Sequence, residues 1–241
     1  MSQMQFQAPP LSKTNKFILI ISVSCFILSA IGRAIGAFAL PQILGLSGAA
    51  LSKGFVFQLF TYPFIETQLL GFLFNALLVW FIGSEIERLW GSRLYQRFLG
   101  LVVLITGVIY ALVGILLFNG TVVYSTPLYG LSGINFALLI AYAILYPDRQ
   151  LSMMLIFPMR ARTFCFILIG IELYSALFSS YISSWAHLLT MGLSFLFIRY
   201  QNNPLIHNLM NKSFAASSKK VKKGNLRIVK SDRDDPPKYW H

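Results

Sequence analysis

The side chains that could do chemistry inside this chain are few enough to weigh one by one. Of the three histidines, His207 and His241 fall in a polar C-terminal tail, which leaves His187 alone in an apolar setting. A serine framed by glycines, Gly130-Leu131-Ser132-Gly133, opens an apolar run that continues to Tyr146. A serine hydroxyl becomes a useful nucleophile only when a base within hydrogen-bond reach takes its proton, and imidazole, with a pKa of about 6.5, suits that task. At a helix start the backbone N–H groups of Leu131 and Ser132 lack intrahelical partners and can meet a developing oxyanion. Gly130 and Gly133 would permit a tight turn there and let a neighbouring backbone or a substrate come close. A serine in this setting can also be a helix cap or a close-packing site.

Other chemistries lack their residues. No HExxH occurs, and Cys25 and Cys165 both fall in expected helices, where they suit small packing positions, so no metal cluster presents itself. The aspartates, at 148, 232, 234 and 235, belong to loops or the tail, which excludes a pair of intramembrane aspartates sharing a proton. Glycine-rich phosphate-binding motifs are missing too, so neither cofactor nor metal is expected. Glu172 is the one acidic residue expected near the middle of a span, where it is either functional or a structural hydrogen-bonder.

These groups need membrane-spanning helices to position them. The 241 residues are 56% hydrophobic and 12% charged, about half the charge fraction of a soluble domain. Mean hydropathy is +0.65, and the charges crowd into short segments between long apolar stretches. The pattern predicts an all-α membrane protein with six transmembrane helices, at about 17–40, 68–83, 95–118, 132–146, 163–179 and 185–200. The first is read as a retained helix because its apolar run is long, a polar segment precedes it and no small-x-small cleavage site follows. Several spans are shorter than about 20 residues, so their ends would lie inside protein or face a water-filled cavity.

Charge placement predicts the topology. With a cytoplasmic N-terminus, the inner segments hold Lys13, Lys16, Arg88, Arg93, Arg97, Arg149, Arg160, Arg162, Arg199 and the tail, and only Arg33 and Lys53 fall outside. Residues 1–16 would form a cytoplasmic segment, 17–200 the membrane domain and 201–241 a basic, disordered cytoplasmic tail. Contact with anionic lipid headgroups is the expected role of that tail; the net charge of +12 does not argue for nucleic acid. Glu85, Glu87 and Arg88 are expected to pair or cap the turn between the second and third helices. A short chain with no added soluble domain suggests a bacterial inner membrane, with the site opening to the outer side.

From about Phe57 to Tyr200 the sequence resembles the rhomboid intramembrane serine proteases. The likeness rests on "FN" upstream of "GSEIERLWGS", on "GLSG" at 130–133 opening a helix, and on the Ala-His of "WAHLL" near the start of the last helix, in that order. The resemblance implies a six-helix rhomboid-like bundle in which Ser132 is the nucleophile, His187 the general base and acid, and Asn75 an oxyanion donor. One such donor can be worth about 3 kcal/mol in a transition state. It further implies a dyad without an aspartate, an acyl-enzyme, and single-span membrane protein substrates.

The sequence departs from the family pattern in several places. Gly71 stands where a histidine usually helps hold the oxyanion. Phe136 replaces the tyrosine that packs on the histidine ring, keeping the face and losing the hydroxyl. Thr190 and Ser194 stand where glycines are common after the histidine, and residues 41–66 lack the family's Trp-Arg pair. The leading expectation is an active intramembrane endopeptidase. Its rival is a catalytically silent rhomboid-like protein that binds transmembrane helices, in which Asn75 would only join helices. A transporter would need an internal repeat or paired broken helices, and neither is found.

Overall fold

A computed structural model describes residues 10–151, 159–178 and 182–201. The expected tail at 202–241, with His207 and His241, lies outside the described residues. Helix α1 spans Lys13–Ala34 and begins before the expected boundary at 17. It ends well before Leu40 because Gly36 takes a positive φ of 64°. There Gly36 N–H donates to the Arg33 carbonyl and Ala37 N–H to that of Gly32, which satisfies the last turn.

Short helices follow: α2 (Leu40–Leu44), α3 (Gly48–Ser52), α4 (Gln58–Thr61) and a 3-10 turn at Tyr62–Phe64. Next come α5 (Leu69–Leu78), a π turn (Val79–Gly83) and α6 (Ser84–Trp90), which together make one continuous helical segment. It runs a full turn and more past the expected end at 83. The polar groups that should have stopped it find partners on α1 instead: Asn15 Nδ2 donates to Ser84 Oγ (3.3 Å) and Thr14 Oγ1 to Glu87 Oε1 (2.6 Å). Then follow α7 (Ser92–Leu117), α8 (Val122–Ser125), α9 (Ser132–Leu145), a two-residue antiparallel pair β1 (Gln150–Leu151) and β2 (Met159–Arg160), α10 (Ala161–Phe178) and α11 (Ile182–Gln201).

A helix therefore occupies each of the six expected segments, but four are long and apolar enough to cross a membrane: Lys13–Ala34, Leu69–Trp90, Ser92–Leu117 and Ala161–Phe178. At 14 residues α9 falls short of a span. It is the centre of the fold instead. Ile134, Ala137, Leu138, Leu139, Ile140 and Ala141 are all buried, and a helix apolar on every side is one enclosed by others. The π turn, α7 and α10 pack around it. Outward faces of the surrounding helices carry Ile20, Leu70, Leu116, Phe166 and Phe178, all exposed, as a lipid-facing surface requires.

The acidic groups at one end of the bundle do not pair with Arg88 as expected. Glu85 binds Arg149 and accepts from Tyr142 Oη (3.2 Å), which ties α6 to the far end of α9. At the opposite end, residues 40–66 fold over the starts of α5 and α9. Leu46 and Leu128 exchange backbone hydrogen bonds at 2.9 and 2.7 Å, so this segment is fixed to the one that leads into α9.

Candidate functional site

Ser132 is the first residue of α9, and Gly130 ahead of it has φ 111°, a conformation that favours glycine. A Cβ at Gly130 would lie 3.5 Å from Glu66 Oε1, an ordinary contact, so the conformation and not a lack of space is what favours glycine here. Asn75, on α5, reaches across from the other side. Its Nδ2 lies 3.3 Å from Ser132 Oγ and donates to it, and the same nitrogen donates to Glu66 Oε1 at 2.8 Å. Asn135, one turn into α9 and buried, donates to Asn75 Oδ1 at 2.8 Å. Asn75 thus joins α5 to α9 through both ends of its amide.

The backbone N–H of Leu131 donates to Glu66 Oε1 at 2.9 Å. Two of the groups expected to hold an oxyanion, Asn75 Nδ2 and Leu131 N–H, therefore converge on one point, and a carboxylate oxygen of the protein occupies it. Glu66 is buried, and burial pushes its carboxyl above the ordinary glutamate range despite the two hydrogen bonds that pull the other way. A raised carboxyl pKa favours the fold while protonated, so this stabilisation is full below the unfolded value of about 4.3 and is lost as pH rises through the folded value. Acidifying the detergent-solubilised protein from neutral pH towards that range should raise its melting temperature, and Glu66→Gln should flatten that part of the profile.

His187 lies on α11 with its ring against Phe136, the centroids 4.9 Å apart. Phe136 follows Ser132 by one turn, so the stacking face expected at that position is present on the serine's side of α9. His187 Nδ1 is 3.3 Å from Glu172 Oε2, which brings the acidic residue of α10 to the histidine although it lies a helix away in sequence. No aligned hydrogen bond reaches that oxygen among the described residues. Nor does any hydrogen bond join Ser132 to His187. The space beside His187, bounded by Tyr62, Gly130, Gly133 and Thr190, has a volume of about 10 Å³, room for one water at most.

The positions that replace the expected glycines still allow close helix packing. Thr190 turns its hydroxyl back to the His187 carbonyl (2.6 Å) and leaves its methyl facing Gly133. Ser194, fully buried, donates to the Ala137 carbonyl at 2.7 Å and joins α11 to α9. Gly71 sits one turn before Asn75, where an added Cβ would meet only Gln68 Cβ at 3.9 Å. Cys165 packs against α9 and donates to the Leu139 carbonyl, a packing role as expected. Glu66 escaped the sequence reading; its signal was that it is the only acidic residue among the first 84, set in an apolar stretch.

Residues 16–218 match a family described as eukaryotic integral membrane protein (DUF1751). The chain belongs to this family. No curated protein sequence matches it. As a DUF1751 member with several apolar helices it is an integral membrane protein. The family's description names eukaryotes, so the bacterial inner membrane suggested by the short chain has no support.

Proposed function

We propose that this DUF1751 protein is a rhomboid-like membrane protein that binds transmembrane helices without cutting them. One observation carries the reading: Glu66 Oε1 accepts from both Asn75 Nδ2 and Leu131 N–H. Acyl transfer requires negative charge to develop where donors are preorganised for it. Here a carboxylate already holds those donors, and a second negative charge beside it in a site of low dielectric is opposed by several kcal/mol, on the order of what a donor supplies. The histidine of the protease pattern is also replaced by Gly71. A partner would be a single-span membrane protein.

In this reading the six helical segments all lie within the bilayer, the short ones sheltered by their neighbours, with both termini cytoplasmic. The charge distribution supports that orientation. Lys13, Arg88, Arg93 and Arg149 belong to the end of the bundle where Thr14 meets Glu87 and Arg149 meets Glu85, while Arg33 donates to the Thr67 carbonyl (3.0 Å) at the other. A second reading, an active serine endopeptidase, draws support from the pairing of His187 with Glu172 and Phe136, because a base held by a carboxylate and an aromatic face is the arrangement a serine nucleophile needs.

Purified full-length protein in liposomes with single-span test substrates separates the two. The expected result is retention of the substrate helix, measured by energy transfer, equal for wild type and Ser132→Ala, with no cleavage product. Cleavage by wild type that disappears in Ser132→Ala and His187→Ala would establish the protease and overturn the proposal.

A further inference from the structure

We infer that Glu66 is an internal plug in an oxyanion site formed by Asn75 and Leu131, and that removing its side chain converts the silent protein into a serine hydrolase. This rests on the non-cutting reading above and gives it a cause. The groups around Ser132 divide into those that would perform acyl transfer and one that prevents it. Asn75 Nδ2 and Leu131 N–H point at a single oxygen position, separated from it by 2.8 and 2.9 Å, which are the distances at which donors hold an oxyanion. Ser132 Oγ lies beside the same amide at 3.3 Å, so a carbonyl attacked by this serine would direct its oxygen towards the two donors. On the serine's side of α9, the ring of His187 lies tilted against Phe136 and has Nδ1 against Glu172, which leaves Nε2 as the ring nitrogen available to receive a proton. Only the position of the oxyanion is taken, and its occupant comes from residues 65–68, between the 3-10 turn and α5, and not from a helix.

Through these two bonds Glu66 also ties residues 65–68 to α5 and to the start of α9. Glu66 forms no ion pair with an Arg or Lys among the described residues, and its Oε1 has only the two site donors as partners. Gly130 lies beside the same carboxylate, where an added Cβ would make ordinary contact with Glu66 Oε1 at 3.5 Å, and its φ of 111° is what favours glycine there.

A fluorophosphonate probe tests the proposal without any knowledge of a substrate. Ser132 Oγ would form a bond to phosphorus, fluoride would leave with its electron pair, and the hydroxyl proton would pass to His187, while the phosphoryl oxygen rests on Asn75 and Leu131. Full-length wild type, Glu66→Ala, Glu66→Gln, Glu66→Ala/Ser132→Ala and Glu66→Ala/His187→Ala would be compared in the same detergent, with melting curves to establish folding. Glu66→Ala should label at least about 100-fold faster than wild type, the scale set by one oxyanion donor. Glu66→Gln, with a neutral oxygen more easily displaced, should fall between them, and both double variants should lose the gain.

Rapid, Ser132-dependent labelling of wild type would sink the non-cutting reading itself. Silent wild type together with folded but silent Glu66→Ala would overturn the plug while leaving that reading intact. Should Glu66→Ala not fold, the isosteric Glu66→Gln decides, and no labelling above wild type overturns the plug.

Discussion

Asn75→Leu is expected to destabilise the protein by about 2–3 kcal/mol, whether or not the protein ever cuts a peptide. The substitution removes the donor to Glu66 Oε1 at 2.8 Å, the donor to Ser132 Oγ at 3.3 Å and the acceptor for Asn135 Nδ2 at 2.8 Å. A single hydrogen bond between membrane helices is worth only about 0.6 kcal/mol on average, so the bonds alone would give less than the expected loss. The larger part comes from what stays behind. Glu66 keeps one partner, the Leu131 N–H, and Asn135 keeps only the Asn75 backbone carbonyl at 3.2 Å, in a buried place where an unpaired polar group costs about 1–3 kcal/mol. Reversible unfolding in mixed micelles measures this, and a double-mutant cycle isolates it. Glu66→Leu/Asn75→Leu should recover more than about 1 kcal/mol relative to the sum of the single changes. An asparagine that served the oxyanion alone would instead give wild-type stability in Asn75→Leu.

The ordering of the site along the chain was legible because its members sit on helices. Ser132 and Phe136 are one turn apart, and so are Gly71 and Asn75, and spacing of that kind follows from the helix itself. Helix ends were less legible. The segment begun by α5 was expected to stop at its first polar cluster, yet Ser84 and Glu87 are satisfied by Asn15 and Thr14 from a helix some 70 residues earlier, and no local pattern announces such partners. Of the six expected spans, four are long and apolar enough to cross a membrane. Helix α9 was taken as a span from its apolarity, whereas the burial of most of its residues makes it a central strut of 14 residues.

Glu66 and Glu172 show two different reasons for a miss. Glu172 was noticed as a costly acid in an apolar helix, but its partner became visible only when the fold set α10 beside α11. Glu66 lies in a stretch without periodicity, after Tyr62–Phe64, so nothing in its neighbours shows which way it points. Its position is set by contacts that are distant in sequence: Gly130 N–H donating to the Tyr62 carbonyl at 3.0 Å, and Arg33 held on the Thr67 carbonyl. A charged residue isolated in an apolar stretch carries the information that a partner must exist. It does not say that the partner is a set of donors which the sequence reading had assigned to a substrate.

Two glycines on one helical segment should respond in opposite directions, and the contrast tests how closely packed the bundle is at each end. A Cβ at Gly83 would lie 2.6 Å from Tyr95 Oη and 2.8 Å from Asn15 Nδ2. Those atoms cannot simply move aside. Tyr95 and Asn15 are fully buried, Tyr95 Oη donates to Asn15 Oδ1 at 2.7 Å, and Asn15 Nδ2 donates to Ser84 Oγ, so displacement breaks the contact among α1, α6 and α7. Overpacking typically costs 1–3 kcal/mol and an orphaned buried hydroxyl adds to it, so Gly83→Ala should destabilise by about 3 kcal/mol. In a Tyr95→Phe background the offending oxygen is gone, and the same substitution should cost at least about 1 kcal/mol less. Gly71→Ala meets nothing closer than 3.9 Å and replaces glycine within a helix, which should leave stability unchanged or raise it by up to about 1 kcal/mol. Equal losses at the two positions would mean that position 71 is as closely packed as position 83. The expected split would mean that the close approach of Tyr95 and Asn15 requires the glycine at 83, while the one at 71 leaves open the space in which the resembling proteases place a histidine.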